Sequence, residues 1–257
     1  MFQIIRARQR HFVDFGWLKT YWLFSFSYYY DPQNIRFGPL RVFNDDVIDP
    51  KSGFDTHPHQ EMEIVTISLE GEITHEDSLG NQAVLSPGDV HRMSAGTGVS
   101  HSEHNLTDDP AHFYQIWLYP DEPRLEPGYN QQSFTSDDYT NRLCAVASGR
   151  GGRGDDRAVS MHVDATIYRA RLDPETALVH DCGEERRIFV YLGGGMLDID
   201  GTRLVPGDQA RIDPDGPLEL VSRNGGDTSF ILIDVPSSRA IGCPQEVLWG
   251  PGRKEIA

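Results

Sequence analysis

The clearest period in the chain runs from Glu63 to Glu70, where Val65, Ile67 and Leu69 fall on one parity and Thr66, Ser68 and Glu70 on the other. A two-residue alternation is the mark of a half-buried β-strand. Shorter stretches read the same way: Leu40-Arg41-Val42-Phe43-Asn44, Val90 to Ser94, and Phe113 to Tyr119. Met1 to Asp31 is aromatic and patchy, as in Phe15-Gly16-Trp17-Leu18 and Trp22-Leu23-Phe24-Ser25-Phe26, and predicts short strands. Turn marks separate these runs at Asp31-Pro32, Gly38-Pro39, Ser78-Leu79-Gly80-Asn81, Ser86-Pro87-Gly88-Asp89 and Ala95-Gly96-Thr97-Gly98. No segment carries a long helical period.

The pattern also repeats. Leu69-Glu70-Gly71, a hairpin, and Leu85-Ser86-Pro87-Gly88-Asp89 match Leu192-Gly193-Gly194-Gly195, the hairpin of Met196 to Gly201, and Leu204-Val205-Pro206-Gly207-Asp208. An internal duplication of this kind implies two similar β-barrels. Ser148 to Asp156, rich in glycine and arginine, predicts a polar surface loop between them. The tail from Gly242 to Ala257 carries no pattern.

Two pairs of metal-capable side chains stand out against this frame: His57 and His59, and His101 and Glu103, each with one residue between. Residues i and i+2 of a strand share a face, so each pair can aim both members into one interior. Carrying the alternation of 63–70 backwards places His57, His59, Glu61 and Glu63 on the apolar side. Val99, His101, Glu103 and Asn105 share one parity, with His104 on the other. The second half has His162 and His180 but neither a His-x-His nor a His-x-Glu, so only the first barrel is expected to hold a ligand set.

A lone buried histidine is ordinarily a hydrogen-bonded core residue, and His75, His91, His104 and His112 read that way, with His75 and His91 at most lining the pocket. Two short-spaced pairs on inward parity point instead to a metal. Glu63, on the same parity, is a further candidate ligand or partner to one. Imidazoles with one carboxylate suit a borderline divalent ion and disfavour calcium. An octahedral ion with four protein ligands keeps two open positions, which suits oxygen chemistry. A tetrahedral zinc there would be closed and structural.

Composition narrows the setting. The formal net charge of −16 repels phosphate backbones and anionic lipids, which argues against direct nucleic-acid or membrane binding. Cys144, Cys182 and Cys243 form no Cys-x-x-Cys pair and suggest a reducing, cytoplasmic setting. The N-terminus has no apolar signal core, and the aromatic run Tyr21–Tyr30 is too short to span a bilayer. A monomer is adequate.

With those residues in view, the sequence resembles the pirin family of the cupin superfamily. The likeness is carried by 15–18, 24–32 and 37–42, then by His57-Pro58-His59, Met62-Glu63-Ile64-Val65-Thr66 and His75-Glu76-Asp77-Ser78-Leu79-Gly80. It continues through Pro87-Gly88-Asp89-Val90 and the run from Ser94 to Glu103. The second half matches only in outline. This resemblance implies an all-β bicupin: two antiparallel double-stranded β-helix (jelly-roll) barrels packed together, a metal-binding one over residues 1–133 and a degenerate one over 134–257. It implies one metal held by His57, His59, His101 and Glu103, most commonly Fe(2+), with Mn, Ni, Cu, Co and Zn as alternatives. His91 stands where glutamine is usual in the family, and Trp22 where a histidine is common.

The activity implied is quercetin 2,3-dioxygenase. A polyphenol or enediol substrate would meet O2 at the metal, the flavonol ring would open and carbon monoxide would leave. Glu103 would be both ligand and proton acceptor, and first-half aromatics the apolar walls. The competing expectation is a metal- or redox-sensing regulatory protein that acts by binding a protein partner, as pirin co-regulators do.

Overall fold

A computed structural model describes residues 1–149, 157–223 and 226–237. Most of the loop expected over Ser148–Asp156, all of the C-terminal tail and Cys243 lie outside them. In chain order the strands are β1 (Phe2–Ile5), β2 (His11–Asp14), β3 (Leu18–Trp22), β4 (Leu40–Ile48), β5 (Ser52–His59), β6 (Glu63–Glu70), β7 (Ile73–Asp77) and β8 (Gln82–Leu85). β9 (Asp89–Ser94), β10 (Val99–Asn105), β11 (Ala111–Leu118) and β12 (Gly128–Ser133) follow. The later strands are β13 (Cys144–Ser148), β14 (Val159–Ser160), β15 (Thr166–Leu172), β16 (Ala177–His180) and β17 (Arg186–Gly194). The last are β18 (Leu197–Ile199), β19 (Thr202–Leu204), β20 (Gln209–Ile212), β21 (Leu218–Ser222) and β22 (Thr228–Pro236). Among the described residues the only helical pieces are single turns at Ala7–Gln9 and Ser136–Tyr139. No helix among them is long and apolar enough to cross a membrane.

The chain folds as two all-β units, each a seven-stranded sheet with a four-stranded sheet, the architecture of a bicupin. One unit holds His11–Gln131 and Met161–Val163, with sheet orders β12-β9-β6-β11-β4-β3-β2 and β5-β10-β7-β8. The other holds Met1–Arg10 and the described residues of 132–160 and 164–237, with orders β1-β20-β17-β22-β15-β13-β14 and β16-β21-β18-β19. The first ten residues therefore group with the C-terminal unit, where a boundary at 133/134 would put them in the first barrel. β1 is an antiparallel neighbour of β20, pairing Phe2 with Ile212.

The two orders correspond over eight strands, β9-β6-β11-β4 with β20-β17-β22-β15 and β5-β10-β7-β8 with β16-β21-β18-β19, and differ at the edges; the repeated Leu-x-Pro-Gly-Asp is the shared corner. In one unit Asp89 Oδ2 accepts the Ser86 N–H at 2.9 Å, and in the other Asp208 Oδ2 accepts the Val205 N–H at 3.1 Å. The glycine of each corner sits at positive φ, 96° at Gly88 and 84° at Gly207, a region only glycine enters freely. Each then donates back to the preceding long strand, Gly88 N to Ser68 O and Gly207 N to Leu192 O. That bond registers the two barrels on each other position by position.

The interior of the C-terminal unit is apolar: Ile188, Val190, Leu192, Leu197, Ile199, Leu204, Leu218, Leu220 and Leu232 form one buried cluster. Full burial of each such side chain contributes roughly 1.5–3 kcal/mol. In the N-terminal unit one apolar cluster gathers around Phe54, Ile73, Leu85 and Phe113 and another around Ile64, Met93 and Val99. A band of buried polar side chains accompanies them.

Candidate metal centre

β10 is the middle of that band. Its burial alternates strictly, with Val99, His101, Glu103 and Asn105 buried and the residues between them less so. On one side it pairs with β5, setting His101 opposite His57 and Val99 opposite His59. The register slips between His101 and Glu103, a bulge that sets Glu103 opposite Phe54. On the other side β10 pairs with β7, with His101 opposite Asp77 and Glu103 opposite His75. Gly53 allows the close approach of β5: a Cβ there would lie 2.3 Å from the Glu103 carbonyl oxygen.

The structure brings His57, His59 and His101 together. Their rings lie 4.6 to 4.9 Å apart between centroids, and one nitrogen of each falls within 4.8 Å of the others. Burial is the main cause that lowers all three pKa values, that of His59 to about 3. They are therefore neutral at pH 7 and carry lone pairs.

Glu103 joins this group through His101, and its carboxylate also gathers with His75 within 4.8 Å. It is 1% exposed. Gln115 donates from Nε2 to Glu103 Oε2 at 2.7 Å, and Trp117 Nε1 donates to Gln115 Oε1 at 3.1 Å. The indole thus fixes which end of the Gln115 amide faces the carboxylate. Glu103 Oε1 makes no hydrogen bond of normal geometry, though the Thr66 hydroxyl is near enough to the carboxylate to oppose the rise in its pKa. Burial, only partly offset by hydrogen bonding from Gln115, pushes the Glu103 carboxyl up to about 7. Further along the sheet Asp46 is buried too, and burial, with Asp45 and Glu103 charge adding to it, pushes its carboxyl up to about 8.

These residues fit a cation. His57 Nδ1 lies 2.7 Å from the Asp55 carbonyl oxygen, which can only accept, so its proton sits on Nδ1 and Nε2 is a bare lone pair. That lone pair faces His101 Nε2 at 3.1 Å. A third imidazole and a buried carboxylate oxygen that makes no hydrogen bond of normal geometry complete a donor set suited to a borderline divalent metal. In dry protein such a convergence is costly unless something positive is shared.

One expectation fails. Glu63 does not face this site: its carboxylate accepts the His162 backbone N–H at 3.2 Å and lies 3.9 Å from Arg92 Nε. The alternation of β6 cannot be carried back into β5, because residues 60–62 separate the strands and Glu61 turns the chain at φ 53°. Within β6 it is the polar parity that looks on the metal centre. Thr66 pairs across to Gln115, and Val65 and Ile67 lie on the opposite face. The remaining histidines behave more simply. His104 is on the outward parity beside Asp55, and His112 bonds Asp45 at 2.7 Å. His91 is fully buried against the rings of His75 and Tyr129, and neither of its nitrogens has a protein partner. Gln115 was hidden in a strand read only for its aromatics; its parity with Phe113 and Trp117 is the signal that singles it out.

Comparison with known proteins settles the kinship. Residues 4–118 match the model of the Pirin family, and residues 146–235 match the quercetinase C-terminal cupin domain. A quercetin 2,3-dioxygenase of Escherichia coli (strain K12) is 35% identical over 92% of this chain and 99% of its own length. The chain belongs to the pirin family. Among other pirins, a pirin-like protein of Caulobacter vibrioides is 36% identical over 86% of this chain and 94% of its own. The crystal structure of the bacterial pirin YhhW from Escherichia coli in complex with nickel(II) superposes with a TM-score of 0.85. It is 36% identical and covers 92% of this pirin and 100% of that chain.

Proposed function

We propose that this pirin is a metal-dependent dioxygenase of the quercetin 2,3-dioxygenase type. One divalent transition metal, Fe(2+) before Mn, Co, Ni, Cu or Zn, is held by His57, His59, His101 and Glu103. On this reading the metal-binding barrel lies within residues 1–133, β1 excepted, and the degenerate copy is built mainly from 134–257. The observation that carries it is the 3.1 Å approach of His57 Nε2 and His101 Nε2 beside His59 and Glu103. The relatives named quercetin 2,3-dioxygenase and the nickel complex of a pirin support it.

When bound by His57, His59, His101 and Glu103, a divalent metal would supply the Lewis acidity that lowers the pKa of a substrate hydroxyl. The chain's own residues do the rest. Glu103 would serve as ligand through Oε1 in the resting state and accept the proton of the substrate hydroxyl there when substrate binds. Gln115 keeps Oε2 engaged, so the proton goes to the other oxygen. Trp117 packs edge-on to His59 with centroids 4.8 Å apart, and Phe26 and Trp22 continue the aromatic wall at 5.3 and 5.2 Å. Flat, apolar ring faces of this kind suit a planar polyphenol.

The test is oxygen uptake with quercetin by full-length protein reconstituted with each of the six metals. Uptake matched by carbon monoxide release is expected with at least one of them. Absence of both with all six sinks the reaction.

A further inference from the structure

The hairpin between β7 and β8 concentrates its hydrogen bonds on one carboxylate. Asp77 Oδ1 accepts the backbone N–H groups of Leu79 at 2.9 Å and Asn81 at 3.0 Å. Its Oδ2 accepts the Asn81 side-chain amide at 2.8 Å and lies 3.3 Å from His75 Nε2. An ionised carboxylate only accepts, so His75 Nε2 carries the proton of that contact. A neutral imidazole carries one proton, so with the Nε2 proton given to Asp77 the other ring nitrogen is left bare. His75 Nδ1 is therefore a bare acceptor. It lies 3.4 Å from His101 Nδ1, so His101 supplies the proton between them. Its Nε2 is then left as a lone pair, aimed at the lone pair of His57.

We propose that Asp77 and His75 form a hydrogen-bonded relay that locks His101 in its Nδ1–H tautomer and keeps Nε2 available to a metal. The proposal rests on the metal-centre reading. Asp77 and His75 are positioning residues, each acting through the next. Metal-bound histidines generally give their second N–H to a carboxylate, carbonyl or water, and here one imidazole is inserted before the carboxylate. The side chains of His75 and Asp77 are both wholly buried, so no water competes for these bonds. The turn is thereby tied to the metal centre through its first residue.

Asp77→Asn tests the proton order. Asp77 Oδ1 accepts two backbone donors, so the amide oxygen sits there and the amide nitrogen faces His75 and Asn81, whose side-chain amide turns over to accept from it. That nitrogen donates to His75 Nε2, pushes the His75 proton to Nδ1 and forces the His101 proton onto Nε2, where it blocks a metal. In full-length protein labelled with 15N-histidine, two-bond proton–nitrogen spectra read the tautomers without metal. Competition titration reads the affinity for Zn(2+). The wild type is expected to show His101 as Nδ1–H and His75 as Nε2–H, and D77N both tautomers reversed with zinc affinity about 10–100-fold lower. His75→Phe is expected to lose a similar factor, and His75→Gln, whose carbonyl can accept from His101, to keep most of the affinity.

A wild-type His75 protonated at Nδ1 overturns the relay. So does D77N with unchanged tautomers and zinc affinity. If D77N does not fold, the other pair decides, and equal zinc affinity for H75F and H75Q overturns the proposal. Wild-type protein that binds no zinc removes the metal-centre reading instead, because the tautomers are read in its absence.

Discussion

The two barrels share a frame and differ almost wholly in what fills it. The common hydrogen bond at Gly88 and Gly207 and the strand registers put Glu103 where the other unit has Leu220, and His101 where it has Leu218. His75 corresponds to Ile199, Thr66 to Val190, His91 to Ala210, Gln115 to Leu232 and Asp46 to Ala170. His57 and His59 correspond to His180 and Cys182, yet that pair is not poised for a metal. His180 Nε2 contacts Asp234 at 3.2 Å, and burial pushes the Cys182 thiol up to about 12. One frame thus supports both a polar interior and an apolar one. The polar version gives up apolar burial along one strand face for a set of donors, a trade of stability for chemistry.

The sharpest way to break the contrast is to remove a ligand from one barrel and its counterpart from the other. His57→Ala and His101→Ala are expected to lose more than about 100-fold in metal affinity and all turnover. His180→Ala is expected to keep the metal stoichiometry by elemental analysis. Retention of metal by H101A, or its loss in H180A, refutes the assignment of the metal to the first barrel.

Importing the apolar residue of the second barrel is the next largest step. Gln115→Leu removes the donor to Glu103 Oε2 and leaves Trp117 Nε1 without its acceptor. Turnover is expected to fall on the order of 10–100-fold with metal still bound. An unchanged kcat would remove Gln115 from the proton-handling picture.

The third concerns stability. Asp46 is pushed up to about 8 when folded, against about 3.8 unfolded, so the folded state binds more protons in between and stability falls as pH rises from about 4 to 8. Asp46→Asn is expected to flatten that slope in the metal-free protein, a gain on the order of 2 kcal/mol at pH 8 in urea titrations. A slope unaltered by the substitution would show that Asp46 ionises normally. The smallest effect is expected at His104, outward and beside exposed Asp55. His104→Gln should change stability by less than about 0.5 kcal/mol and metal content not at all.

Much of this frame was legible in the alternation and in the repeated Leu-x-Pro-Gly-Asp, because both report local geometry. The convergence of the two ligand pairs was legible for the same reason, since one intervening residue on a strand fixes a shared face. Glu63 was misplaced because a strand count assumes an unbroken strand, and a single residue at positive φ resets it. Asp77 was not singled out, because nothing in a hairpin sequence says which side chain a carboxylate beside the turn will meet. Gln115 and His75 needed the neighbouring strands to be known. The placement of β1 was illegible in principle: four residues alternate equally well in any sheet.

That strand has a consequence for how the protein is made. Met1 exchanges backbone hydrogen bonds with Asp213, 212 residues away, so during synthesis this strand waits roughly 10–40 s for its partner. Strand β1 is thus placed late, at an edge of the larger sheet of the C-terminal unit. Disrupting the pairing of β1 with β20 would burden the assembly of that unit, while the strands bearing His57, His59, His101 and Glu103 are already complete.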